Sequence, residues 1–130
     1  MIDLVALVVS HLRSRDINSV YGGELPQGAK RPAGLIALTG ALLPSSHEPA
    51  WLGEYDAQLD AWGRTRQEAH AFLSNVVAEL RTNPTNDHGV ITRFEVVSVI
   101  DDPDPDWPDG NGRPGPRFIA QLRFHAHPAA

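Results

Sequence analysis

The chain has no cysteine, one lysine (Lys30) and one methionine, and aromatic residues make up only 7% of it. Without thiols there is no disulfide framework and no thiolate metal site, which suits a protein assembled inside a cell, and thiol redox chemistry has no reagent here. Long apolar runs are also missing. The apolar start, Ile2 to Val9, is interrupted by Asp3 and gives way to His11 and Arg13, far short of the ~20 residues a membrane span needs. No basic residue precedes that run and no small-residue cleavage site follows it, so it makes a poor secretion signal. Positive charge is in deficit: 11 Lys and Arg stand against 16 Asp and Glu, a formal net charge of -5, which argues against a surface devoted to gripping nucleic-acid phosphates.

Catalytic patterns are absent as well. There is no GxSxG elbow and no glycine loop leading into lysine and serine or threonine, and the pair Gly22 and Gly23 does not sit between a strand and a helix in a dinucleotide pattern. No nucleophile is placed beside a base, and no pair of carboxylates can be assigned separated acid and base roles. The expectation is a protein that is not an enzyme and holds no cofactor.

What is there is clearest between Glu54 and Thr82. Tyr55, Ala57, Leu59 and Ala61 alternate with Glu54, Asp56, Gln58 and Asp60, the period of a strand with one apolar and one acidic face. Gly63 allows a sharp exit, and Thr65 followed by Glu68 reads as a capping box that starts a helix near Arg66. Ala69, Phe72, Leu73, Val76, Val77 and Leu80 then form an apolar stripe suited to that sheet face.

Elsewhere, Asp3 is placed to cap a helix over Leu4 to Ser14, with Leu4, Val5, Val8, Val9 and Leu12 inward and basic residues at its end. Ser19 to Leu25 reads as a short strand or extended edge. Gly34 to Leu43 is aliphatic and bracketed by Pro32 and Pro44; it fits a strand covered on both faces or a short buried helix, and strand is favoured. Ser45 to Leu52 reads as an exposed connector whose Trp51 is large enough either to cover one end of the core or to seek a partner surface. Turn formers fill Asn83 to Gly89. Val90 to Ile100 and Arg117 to His127 read as antiparallel neighbours, the second with Phe118, Ala120, Leu122, Phe124 and Ala126 on one face and Arg117, Gln121, Arg123, His125 and His127 on the other. Between them, Asp101 to Pro116 carries five aspartates among prolines and glycines and reads as a long projecting hairpin loop whose removal, from Pro103 to Gly112, leaves the monomer folded. With 130 residues and no linker, the chain forms one domain, 1–130. The fold class is α+β: a mostly antiparallel sheet of about four to five strands with two helices packed on it.

Two constellations invite a metal, and both fall short. Asp102, Asp104 and Asp106 alternate as at the start of an EF-hand loop, but the sixth and twelfth positions hold Trp107 and Arg113 where glycine and a bidentate glutamate belong. His125 and His127 share one strand face without a third ligand. The acidic strand face has two readings. Arg117 and Arg123 on a neighbouring strand could neutralise Glu54, Asp56 and Asp60, or the face could line a channel through which a polyanion passes without sticking.

The run "EYDAQLDAWGRTRQEAHAFLSNVVAEL", followed by "FEVVSVIDDPDPDWPDGNGRPGPRFIAQLRFHAHP", resembles the tail terminator proteins of long-tailed bacteriophages and related tail-like particles. The shared pattern is an N-terminal helix before a proline-rich stretch, an alternating strand entering a helix through Gly-Arg-Thr, and a strand-loop-strand hairpin. The likeness implies a small α+β subunit that forms a homo-hexameric ring on the finished tail tube, stops its growth and meets the head-completion or stopper proteins of the neck. DNA would cross the ring without sequence-specific binding, with no membrane involved, in a virion protein assembled in the host cytoplasm. It implies no catalytic residues. The sheet edges and the loop would touch neighbouring subunits or adjoining rings, with Trp107 as apolar anchor and Asp104, Asp106 and Arg113 beside it, and Trp51 as a further interface candidate. The strand face of Glu54, Asp56 and Asp60, or else the acidic loop, would face the lumen. Its acidic loop departs from the clearest members. The competing readings are another head-tail connector (a stopper or head-completion protein), a minor tail protein, and a small cytoplasmic ligand-binding module.

Overall fold

Asp3 and Thr65 fix where the two helices begin. In the computed structural model, which describes residues 2–42 and 53–129, helix α1 spans Leu4–Ser14 and the Asp3 carboxylate accepts from the Ala6 amide at 3.0 Å. Helix α2 spans Arg66–Leu80, and the Thr65 hydroxyl accepts from the Glu68 amide at 3.1 Å. The return bond of the expected capping box is shifted by one residue: Glu68 accepts from the Arg64 amide at 2.8 Å, because the same carboxylate also clasps the Arg64 guanidinium. Gly63 makes the strand-to-helix turn possible through space rather than through an unusual φ. A Cβ there would run into the Ala69 backbone nitrogen and the Thr65 carbonyl.

Six strands follow the helices' lead, more than the four to five expected. They are β1 (Val20–Gly22), β2 (Ala33–Leu42), β3 (Gly53–Trp62), β4 (Thr85–Asn86), β5 (Gly89–Asp101) and β6 (Arg117–His127), in the spatial order β1-β2-β3-β6-β5-β4. The additional strand is β4, two residues at one margin of the sheet; β1, at the other margin, falls within the short strand read at Ser19 to Leu25. All neighbours are antiparallel except β1 and β2, where Val20 to Gly22 run parallel to Gly34 to Ile36. The favoured strand reading of Gly34 to Leu43 holds. Double coverage does not: β2 is buried at Ala33, Gly34 and Ile36 and exposed from Ala37 to Thr39. The connector Ser45 to Leu52, with Trp51, lies outside the described residues.

Both helices cover one face of the sheet. Tyr55, Ala57, Leu59 and Ala61 of β3 and Phe118, Ala120, Leu122, Phe124 and Ala126 of β6 are buried under Ala69, Leu73, Val76 and Leu80 of α2, with Phe72 and Val77 half-buried at its flanks. The inner face of α1 is turned from the expected one. Leu4, Leu7, Val8, His11 and Leu12 are buried, whereas Val5 and Val9 are half-buried. The physical reason is polar: His11 Nε2 lies 2.9 Å from the Glu79 carbonyl oxygen and 3.2 Å from the Thr82 hydroxyl, which ties α1 to the end of α2.

Candidate functional site: the polar face of the sheet

Among the described residues, the opposite face of the central strands has no helix over it. Strand pairing aligns Glu54 with His125, Asp56 with Arg123, Gln58 with Gln121, Asp60 with Ile119 and Trp62 with Arg117. The period of two that buries Tyr55 and Ala57 necessarily puts this second set on the other side, so the polar face follows from the same alternation as the core.

Its charges are largely matched within the ladder. Arg123 Nε is 2.9 Å from Asp56 and 3.6 Å from Glu54, and His125 Nε2 is 3.4 Å from the same Glu54 carboxylate. The Gln121 amide donates to Gln58 at 3.1 Å, and Gln58 donates to Asp60 at 2.8 Å. Asp60 differs from the expectation that an arginine would neutralise it. Arg117 turns instead to the loop, donating to the Asp102 carbonyl at 2.8 Å and carboxylate at 3.1 Å and standing 3.7 Å from Asp104. Arg117 sits at the strand end opposite Trp62, where the loop returns, so the loop aspartates are its nearer partners. Burial pushes the Asp60 carboxyl above its ordinary value, against the opposing pull of the Gln58 hydrogen bond and the more distant Arg117 charge.

Two bulges flank this strip, between Leu38 and Gly40 in β2 and between Val96 and Ser98 in β5. Between them runs a groove of about 250 Å³ lined by Thr39, Asp56, Val97, Gln121, Leu122 and Arg123. Its floor is occupied by groups already bonded to one another, Arg123 to Asp56 and Gln121 to Gln58. It therefore presents a smooth charged surface rather than convergent free donors and acceptors of the kind that fix a small ligand.

The aspartate loop closes one end of the same face. Trp62 falls on the polar side by register, yet it is only 4% exposed, because the loop lies over it. The Trp62 indole Nε1 donates to Asp104 Oδ2 at 2.8 Å, and the Trp107 ring packs at 5.4 Å between centroids. Arg31 stacks its guanidinium 4.0 Å over Trp107 and donates to the Trp107 and Pro108 carbonyls at 2.6 and 2.9 Å. Asp104 and Gly115 exchange backbone bonds of 2.8 Å, and a Cβ on Gly115 would collide with the Trp107 carbonyl. Of the residues singled out in this loop, Asp104 is thus buried and Trp107 is half-buried against the body. Asp106 and Arg113 are exposed, and the Asp109 carboxylate shapes the tip by accepting from the Asn111 and Arg113 amides at 2.8 and 3.0 Å.

Asp104 accepts from Trp62 and from the Asp106 amide and faces Arg117, so its oxygens are committed to holding the loop. Among the described residues no three His, Asp or Glu side chains converge as metal ligands, and no helix is long and apolar enough to cross a membrane. Sequence reasoning missed Trp62 and Arg31. The available signal was the two tryptophans, Trp62 and Trp107, each stranded in polar surroundings. The chain matches no family model, and a search of curated proteins returns no match.

Proposed function

We propose that the chain is a structural virion protein, a tail-terminator-like subunit that forms a ring on the end of a phage tail tube and joins it to the neck. The observation that carries the reading is the face of β3 and β6 that, among the described residues, has no helix over it, and on which Glu54, Asp56 and Asp60 outnumber the arginine bonded among them, Arg123. Turned toward a lumen, such a face repels phosphate, and its internally satisfied side chains offer DNA few free donors, so the polyanion slides through without sequence-specific binding. Self-repulsion is limited by Arg123, which stabilises the strip in the free subunit.

The subunit acts as a homo-hexamer. Asp106 and Arg113, exposed beside the loop tip, are the contacts offered to the tube protein on one side or to the head-completion or stopper protein on the other, with Asp104 and Trp107 fixing the loop from beneath. No catalysis and no cofactor enter. Termination is geometric: a ring whose far face no longer matches a tube subunit cannot be extended.

The test is negative-stain microscopy of the purified protein mixed with tubes assembled from the tube protein of its own particle. Capped tubes of fixed length are expected. Tubes that keep growing, with the protein bound instead to portal-proximal components, would replace the terminator by a stopper.

A further inference from the structure

The sheet ends in two strand edges that lack a ladder partner over much of their length among the described residues. On one side β1 covers β2 only at Gly34 to Ile36, leaving Ala37 to Leu42 open. On the other β4 covers β5 only at Gly89 and Val90, and the Ile91 amide is taken by the Pro84 carbonyl, leaving Thr92 to Asp101 open. All five large exposed apolar residues among those described lie on these stretches: Leu38 (42%) and Leu42 (69%) on β2, and Val97 (54%), Val99 (45%) and Ile100 (55%) on β5. Neither stretch contains lysine or proline, the residues that commonly blunt an edge; β2 carries one bulge, at Thr39, and β5 two, at Thr92 and Val97, with the charges of Arg93, Glu95 and Asp101.

We infer that these edges are one interface, in which the open part of β5 of one copy pairs antiparallel with the open part of β2 of the next. This deepens the ring reading and rests on it for the meaning of the ring, though not for the contact itself. Strand direction and the pairing of both edges identify the occupant as a second copy of this chain. Within the sheet β2, β3, β6 and β5 alternate in direction, so β2 and β5 run opposite ways, and joining β5 to the next copy's β2 continues the alternation with every helix layer on the same side. Pairing β5 with β5 across a two-fold axis would also be antiparallel, but it leaves both β2 edges unpaired. Only the head-to-tail contact satisfies both edges of every copy, and a head-to-tail contact closes into a ring when its rotation divides the circle. Leu38 and Val99 both point to the helix side by register, opposite Ala57 and Ala120, so apolar side chains meet apolar side chains across the joint. The polar strip of β3 and β6 then becomes one continuous inner surface, curved by the bulges at Thr39 and Val97.

Two edge variants test this, Leu38→Lys with Leu42→Lys on β2, and Val99→Lys with Ile100→Lys on β5. All four side chains are exposed, so circular dichroism should match the unaltered protein. In sedimentation velocity the unaltered protein should form a closed oligomer, and each variant alone should sediment as a 14.2 kDa monomer. An equimolar mixture should yield a dimer and nothing larger, because each variant keeps one competent edge and the two competent edges are complementary. The inference is overturned if the unaltered protein stays monomeric at every concentration, if either variant keeps the full oligomer, or if one variant alone dimerises as a β5 to β5 or β2 to β2 contact requires. The two proposals separate cleanly: rings that form through these edges but leave tubes uncapped remove the terminator reading alone, and edge variants that still ring and cap tubes remove the edge contact alone.

Discussion

The Trp62 indole and the Asp104 carboxylate, 42 residues apart in the chain, meet at 2.8 Å in a buried hydrogen bond. One joint thereby fixes the end of β3, the course of the aspartate loop and the position of Arg117. Replacing Asp104 by alanine should cost about 2–3 kcal/mol, because a buried donor loses its partner and Arg117 loses a neighbouring charge. Asp104→Asn, which retains an acceptor, should lose less. Urea unfolding of the two variants checks the order.

The loop joint also revises what a deletion does. Removing Pro103 to Gly112 strips Asp104 and Trp107 from Trp62 and takes the stacking partner from Arg31. We expect a clear fall in thermal stability for that deletion, in contrast to the dispensable loop read from the sequence. Arg113→Ala, exposed at the tip, should leave the melting temperature within about 1 °C, an effect inside the usual ±0.5 kcal/mol for surface changes.

Gly63→Ala is expected to destabilise by about 1–3 kcal/mol, the scale of forced overpacking, since its Cβ meets the first turn of α2. Thr65→Ala should cost about 1 kcal/mol through the lost cap. The two positions are neighbours, so the double variant should be non-additive, which a thermal-melt cycle reads directly.

Asp60 carries a pH dependence of definite sign. Its folded carboxyl is raised, so the fold favours the protonated form. Stability falls as pH rises from the ordinary aspartate value of about 3.9 toward the folded value, and the deficit persists above it. Asp60→Asn should therefore stabilise the protein at pH 7 by a few tenths of a kcal/mol up to about 1, discounted for partial exposure, and the gain should vanish below about pH 4. Glu68 behaves oppositely. Arg64 holds its carboxyl below the usual range, so its contribution is present at neutral pH and is lost as pH falls below about 4. Melting temperatures of Asp60→Asn and Glu68→Gln from pH 3 to 7 should diverge in these two directions.

Arg123→Gln should lower the melting temperature modestly, because Glu54 and Asp56 lose the cation they share on a half-exposed surface. The loss should shrink in high salt, which unfolding at two ionic strengths would show.

Local rules made much of this molecule readable. The alternation of Tyr55 to Ala61 and of Phe118 to Ala126 predicted both faces of the central strands, and Asp3 and Thr65 marked the helix starts, because these signals depend on residues a few positions apart. The long-range contacts were not readable. The inner face of α1 includes His11 because a carbonyl at the end of α2 is waiting for it, and nothing near residue 11 announces that. The parallel pairing of β1 was hidden because a parallel neighbour needs no turn signal of its own. On the candidate site, Glu54, Asp56 and Asp60 were placed on the correct face. The partner of Asp60 was misjudged, since Arg117 answers to a loop whose return over Trp62 is a tertiary event.

The central pair of the sheet joins β3 to β6, strands separated in the chain by all of α2, β4 and β5. During synthesis β3 leaves the ribosome with only β2 beside it, its other edge waiting until the aspartate loop and β6 have emerged. The two hairpins, β2 with β3 and β5 with β6, can form early from local contacts, but they become one body only when the later one docks, a step slowed by the length of chain to be closed. A chain stopped before β6 would therefore present an unfinished central edge in place of a slightly smaller domain. If the subunit assembles as proposed, competence to do so appears late and all at once, and incomplete chains would be poor at joining a ring.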